Sequence, residues 1–321
     1  MNKYPLKLTY TAKTALWAGK RLKTEFGKVS EHETVSETWE LSVREDEMAR
    51  IIGGEADGMT LAEYFNKAGY DCVTPRFGEK DRFPLLVKLI DANDMLSVQV
   101  HPDDSFASEI EHDSGKTEMW YVVDAAEGAQ LVYGLKDGIT QSDFADAVAK
   151  KHIGEAMNYR TVRAGETYFI PAGMIHAIGA GILIAEIQQN SDLTYRVYDF
   201  DRVGADGKLR PLHVDKALKV TRPFSKAEIE DIRFAKGKTD GVGELLANSQ
   251  YFGVRKMDIK GAVGITATSD SFLSVLCISG EGKIIHGDNT YAISKGDSYF
   301  IPAGMGNFSV SGELTVIVSN V

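Results

Sequence analysis

Apolar positions in this chain fall in short runs rather than long helical stripes. Phe83-Pro84-Leu85-Leu86-Val87-Lys88-Leu89-Ile90 is a compact apolar run bounded by charge. Residues 95–101 follow an Asp-Ala-Asn-Asp turn and alternate polar with apolar, the period-2 mark of a half-buried strand. Residues 119–123, 167–170 and 182–187 are further strand candidates, with Gly and Asp between nearly all of them. Helical patterns are few: residues 61–67 with Thr60 as cap, residues 142–151 with Ser142 as cap, and shorter stretches at 214–220 and 226–232. Dense strands and sparse helices predict a mainly β chain, a sandwich, jelly roll or barrel rather than a parallel α/β sheet.

A repeat extends this picture. Gly165-Glu-Thr-Tyr-Phe-Ile-Pro-Ala-Gly-Met174 recurs 131 positions later as Gly296-Asp-Ser-Tyr-Phe-Ile-Pro-Ala-Gly-Met305. So long a shared phrase predicts two copies of one module, each reading strand, tight Pro-Ala-Gly turn, strand. Two positions past the Met the copies part: His176 in the first, Asn307 in the second. The first copy keeps a side chain able to bind metal; the second lacks it.

Length agrees with two modules, since 321 residues exceed one average domain. The polar stretch from about Thr221 to Gly243 reads as the connector, with the module that keeps the metal-capable side chain at 1–225 and its sister copy at 226–321. At 43% hydrophobic and 26% charged residues, the chain can pack a core. The 36 basic and 46 acidic residues give a net charge of −10, which argues against a broad nucleic-acid or anionic-membrane surface but not against a local cationic pocket. Cys72 and Cys277 lie far apart, so neither a disulfide framework nor a thiolate zinc knot is expected. No signal-peptide pattern and no bilayer-length apolar run occur, and the expected location is the cytoplasm.

Candidate chemistry collects in the first module. Gln99 and His101 are two apart, so on a strand they share a face. Glu118 and His176 sit in or beside other strand candidates, and a barrel can aim all four at one interior point. Two imidazoles, a carboxylate and an amide oxygen suit Zn²⁺ or Fe²⁺ with room for water or substrate. An isolated His is usually a satisfied core or surface group, and His32, His112, His152, His213 and His286 are left to that background. Arg196, at a strand end, can hold an anion or stabilise an enediolate, although a solvated pair with Asp199 or Asp201 is the ordinary alternative. Lys116 lies two before Glu118 and shares its face, which makes it a better pocket candidate than Lys136. Asp103 and Asp104 read as turn formers, and Trp17, Trp39 and Trp120 as packing residues.

Several phrases together resemble the type I mannose-6-phosphate isomerases of the short bacterial form, within the cupin superfamily. They are Ser36-Glu-Thr-Trp-Glu-Leu-Ser42, Pro84-Leu-Leu-Val-Lys-Leu-Ile-Asp91, Leu96-Ser-Val-Gln-Val-His-Pro-Asp103, Gly115-Lys-Thr-Glu-Met-Trp-Tyr-Val-Val-Asp124, Ile170-Pro-Ala-Gly-Met-Ile-His-Ala-Ile-Gly179, and Ile184 through Arg202. Trp17-Ala18-Gly19 departs from the family's usual Trp-Gly-Gly, and residues 138–157 are too short for the helical insertion of long members.

The resemblance implies two cupin-type jelly-roll modules, with one zinc ion on Gln99, His101, Glu118 and His176. It implies Arg196 as the active-site arginine, and a second module without metal. The expected reaction interconverts mannose 6-phosphate and fructose 6-phosphate through a cis-enediolate. Lys116 is then a candidate for proton handling or phosphate binding. Ser97, on the Gln99 face, and Lys136 are candidate substrate contacts. A small phosphorylated sugar is the expected partner of a monomer or small homo-oligomer. Two other readings stand beside it: a sugar-phosphate-binding cupin without catalysis, and a non-haem iron dioxygenase using His101, Glu118 and His176.

Overall fold

The computed structural model of the chain describes residues 1–45, 47–204, 207–229 and 243–321. It is mainly β, in three antiparallel sheets with short helices. The central sheet has six strands in the order Thr167–Ile170, Glu118–Ala125, Ile182–Gln189, Leu85–Ala92, Glu37–Leu41 and Thr11–Lys13. A five-stranded sheet runs Tyr195–Tyr198, Val98–Val100, His176–Ala177, Gln130–Leu135, Met157–Thr161. The third sheet, of eight strands, is built largely from the C-terminal segment.

Side-chain alternation fixes how these layers stack. Trp120 and Val122 pack between the central and five-stranded sheets, with Leu131 and Tyr133 from the latter and Ile178 just past its short strand. Their neighbours Met119 and Tyr121 point the other way and pack with Leu246, Leu276 and Phe300 of the eight-stranded sheet. The central sheet is thus covered on both faces, and all eight residues of Leu85–Ala92 and of Ile182–Gln189 are buried. This is why their sequences read as unbroken runs and not as alternation. On the far side of the five-stranded sheet, Val98, Val100 and Val197 pack under the helices Gln141–Ala149, Ile153–Ala156 and Val214–Val220 through Phe144, Ile153 and Ala217.

The repeated phrase forms the same structure twice. Thr167–Ile170 and Ser298–Ile301 are its strands. Gly173 and Gly304 take positive φ of 86° and 72° in the two Pro-Ala-Gly turns, a region that L side chains rarely enter. In each turn the Met amide donates to the Pro carbonyl at 3.1 Å, Met174 to Pro171 and Met305 to Pro302.

The two modules share backbone pairing. Leu6–Leu8 inserts into the C-terminal sheet, with Leu6 opposite Phe300, and carries Ile51–Ile52 on its other edge. Lys28 and Glu40 form an ion pair at this junction, 4% and 1% exposed. The Lys28 ammonium donates to Glu40 Oε2 at 2.7 Å and to Gly296 O, at the head of the second repeat, at 2.6 Å.

Local expectations fare unevenly. Thr60 caps Leu61–Ala68 through a capping box with Glu63. The next helix is capped by Thr140 rather than Ser142, because Asp143 returns the bond to the Thr140 amide and closes a box there. Asp103 caps the helix Asp104–Ile110. Residues 226–229 are helical, while the rest of the expected 226–232 helix and most of the expected connector, residues 230–242, lie outside the described residues. Cys72 and Cys277 are buried, unpaired thiols pushed up to about 12 by burial. No described helix is long and apolar enough to cross a membrane.

Candidate metal centre

Strand register gathers the predicted donors. Gln99 lies opposite His176 on one side and Arg196 on the other. Residues directly opposite across antiparallel strands share a face. Val98 and Val100 join the outer core, which leaves Ser97, Gln99 and His101 for the inner face. Glu118 enters from the facing sheet as the first residue of its strand. His101, Glu118 and His176 are all at most 1% exposed.

Their geometry fits an ion. His101 Nε2 and His176 Nε2 are 3.1 Å apart, and each stands 3.4 Å from a different oxygen of Glu118. A tetrahedral ion with bonds of about 2.0–2.1 Å sets its donors roughly 3.3–3.4 Å apart. Neither buried Glu118 oxygen accepts a hydrogen bond. A carboxylate so buried is held only by cations; Lys116 faces Oε2 at 3.0 Å, and Oε1 has no cation within salt-bridge distance among the described residues. Gln99 Nε2 lies 3.4 Å from His176 Nε2, and half a turn of the amide presents its oxygen instead.

The imidazoles are already set as ligands. His101 Nδ1 is 2.7 Å from Leu193 O and His176 Nδ1 is 2.8 Å from Met174 O. A carbonyl can only accept, so each Nδ1 carries the proton and each Nε2 lone pair faces inward. Burial, and then Lys116, pushes His101 down to about 3, and burial also lowers His176. Burial by itself raises the Glu118 carboxyl, but Lys116, His101 and His176 outweigh it and hold the group well below the usual carboxylate range. Two neutral imidazoles and one carboxylate are the protonation states a metal requires. Trp120 braces His176 edge-on, its ring 5.4 Å away.

Lys116 belongs to this cluster: its buried ammonium is 3.0 Å from Glu118 Oε2 and 3.2 Å from His101 Nε2. Ser97 is buried, two residues before Gln99. Arg196 donates from Nη1 to Pro211 O at 2.9 Å, and its buried Nε has no partner. The expected alternative, a pair with Asp199, does not form; Asp199 binds Arg202 and Arg210 instead. Lys136 is not brought in. It is exposed just past Gln130–Leu135, and its amide donates to Ala156 O.

Two charged residues were missed as site candidates. Glu186 lies opposite both Trp120 and Lys88 on the inner face of the central sheet. Its Oε2 accepts from Trp120 Nε1 at 2.9 Å, while Oε1 is buried without a hydrogen bond, 3.7 Å from Lys88 Nζ. Burial, with Glu118 nearby, pushes Glu186 up to about 7. Lys88 also faces Glu37 at 3.5 Å and Asp192 at 3.8 Å. The signal was present: each is a charge flanked by apolar residues on both sides within a buried strand, which a packed sheet tolerates only with partners.

In the second module Asn307, the counterpart of His176, accepts from Thr266 Oγ1 at 2.7 Å. Among the described residues, only His101, Glu118 and His176 form a group of His, Cys, Asp or Glu at metal-binding spacing.

Comparison with known proteins follows the same division. The family model for the phosphomannose isomerase type I catalytic domain matches residues 6–147, and that for the mannose-6-phosphate isomerase cupin domain matches residues 243–321. The chain is 35% identical to mannose-6-phosphate isomerase ManA of Bacillus subtilis over 100% of both chains. It is 35% identical to the mannose-6-phosphate isomerase of Streptococcus mutans over 98% of each. The crystal structure of the Bacillus subtilis mannose 6-phosphate isomerase matches with a TM-score of 0.88 at 33% identity, covering 99% of each chain. A putative mannosephosphate isomerase from Archaeoglobus fulgidus, 21% identical with a TM-score of 0.76 over 99% of this chain and 97% of that one, shares the fold. With relatives at this identity matched end to end, and a buried His-Glu-His cluster in the first of two cupin modules, the chain belongs to the type I mannose-6-phosphate isomerase family.

Proposed function

We propose that this site interconverts mannose 6-phosphate and fructose 6-phosphate, with a zinc ion held by Gln99, His101, Glu118 and His176. The observation that carries the reading is the buried Glu118 carboxylate, whose two oxygens each face a different inward imidazole nitrogen at 3.4 Å. The ion supplies Lewis-acid polarisation of the sugar oxygens. The isomerisation takes a proton from C2 and returns one to C1, and negative charge grows on the two oxygens between these events.

Arg196 answers that charge. Its guanidinium lies on the Gln99 face with no carboxylate partner among the described residues. Such a donor, fixed before reaction, stabilises an oxyanion without reorganising. Lys116 holds Glu118 in its ionised, ligating form and adds positive charge for the phosphate, with Ser97 as a further contact. Lys136 is kept as an outer contact for the substrate. Glu186, on the inner face of the central sheet, accepts from Trp120, whose ring lies edge-on to His176, which puts a second buried carboxylate near the site. Residues 1–225 carry this chemistry and residues 226–321 form the metal-free module. Cytoplasmic residence and a monomer or small homo-oligomer complete the proposal.

A coupled isomerase assay with and without chelator, combined with metal analysis, tests the reading. Activity should vanish on chelation and return with zinc, and stoichiometric iron with oxygen consumption would point to the dioxygenase instead. Arg196→Ala should lower kcat about 10²–10³-fold, the usual loss for one preorganised oxyanion donor. Full activity in that variant would remove Arg196 from the mechanism.

A further inference from the structure

We infer that Asp199 is a positioning residue: it engages Arg202 and Arg210 so that Arg196, alone of the three guanidiniums, is offered to the anionic part of the substrate. This rests on the proposed role of Arg196.

The contacts around Asp199 are saturated. Its Oδ1 accepts from Arg202 Nη2 and from Arg210 Nη2, each at 2.5 Å, and its Oδ2 accepts from Arg210 Nε at 2.7 Å. The residue is 4% exposed, so these are not loose surface pairs. Arg202 is tied further, donating from Nη1 to Met95 O at 2.5 Å. Arg196 feels Asp199 only at a distance, without a hydrogen bond or ion pair to it, and among the described residues its side chain bonds to Pro211 O.

The backbone is built around the same carboxylate. The ladder carrying Arg196 shifts register between Arg196 and Tyr198, immediately before Asp199. Phe200 and Asp201 then take positive φ of 57° and 51°, where side chains other than Gly are strained. Strain of this kind persists only where neighbouring contacts over-determine the conformation. The Asp199 bonds supply those contacts, and Arg202 closes the turn by donating from its amide to Asp199 O at 3.1 Å. Without the carboxylate, Arg210 would lose its ion-pair partner and Arg202 would keep only Asp94 at 3.9 Å, so both guanidiniums would compete with Arg196 for any phosphate.

Asp199→Asn in the full-length holoenzyme tests this. Two quantities are read: kcat and KM for mannose 6-phosphate, and the affinity for inorganic phosphate, taken from inhibition and from the phosphate-induced rise in Tm. We expect phosphate to bind at least fivefold more tightly while kcat falls about tenfold. Adding Arg210→Gln to Asp199→Asn should restore the phosphate affinity toward wild type. A variant with lower Tm but unchanged phosphate affinity and unchanged kcat/KM would overturn the inference and leave Asp199 as a structural pair only. Should the wild type fail to isomerise the sugar phosphate, the proposed function falls, yet the phosphate-induced Tm shift still reads the Asp199 effect.

Discussion

Replacing His176 by Asn, the residue its sister copy carries at Asn307, should abolish both metal retention and turnover. His176 contributes one of three buried donors, and its Nδ1–H bond to Met174 O already commits the other nitrogen inward. Supporting partners of metal ligands alone cost about 10–100-fold, so loss of a ligand should exceed about 100-fold in kcat/KM. Metal analysis after dialysis should find well under one ion per chain. The fold should survive, because Asn occupies the equivalent turn of the second module. Wild type and variant should therefore melt together in chelator and separate only when zinc is added, as expected when a ligand binds the native state alone. Retention of a full equivalent of zinc by His176→Asn would refute the assigned ligand set.

The second large effect concerns stability. Lys28→Met leaves Glu40 buried without its cation, and breaking one partner of a buried pair costs about 3–5 kcal/mol. Burial raises the Glu40 carboxyl even with Lys28 in place, a sign that desolvation weighs heavily here. The double variant Lys28→Met, Glu40→Leu should recover most of the loss, since a packed apolar pair often replaces a buried ion pair at little cost. Thermal or denaturant unfolding of the three variants checks this. If the single variant is as stable as wild type, the pair does not tie the modules together.

Much of the site was legible because its logic is local. The two-residue spacing of Gln99 and His101 and the divergence of His176 from Asn307 within a repeat are visible in the chain. So was the Thr60 cap, because its capping-box partner lies three residues away. Thr140 was missed in favour of Ser142, two residues on, because the choice between neighbouring hydroxyls depends on which carboxylate returns the bond. Glu186 and Lys88 were missed for a different reason. A charge inside an apolar run has no meaning until the register sets it opposite its partner, and that pairing joins strands about a hundred residues apart. Lys136 shows the converse: nothing in the sequence says that its side chain stands in solvent rather than in the buried cluster.

The insertion of Leu6–Leu8 between Ser298–Ile301 and Ile51–Ile52 bears on how the protein is made. Synthesis delivers this strand long before its Ser298–Ile301 neighbour. A nascent chain must therefore keep an apolar strand edge open while the residues between the two strands emerge, and such edges are the ones that pair wrongly or recruit chaperones. Closing so long a loop also makes this pairing slow relative to the hairpins around it. The first strand is thus the last to find its place, and a translation pause before residue 298 should leave a ribosome-bound intermediate open to proteases at its N-terminal end.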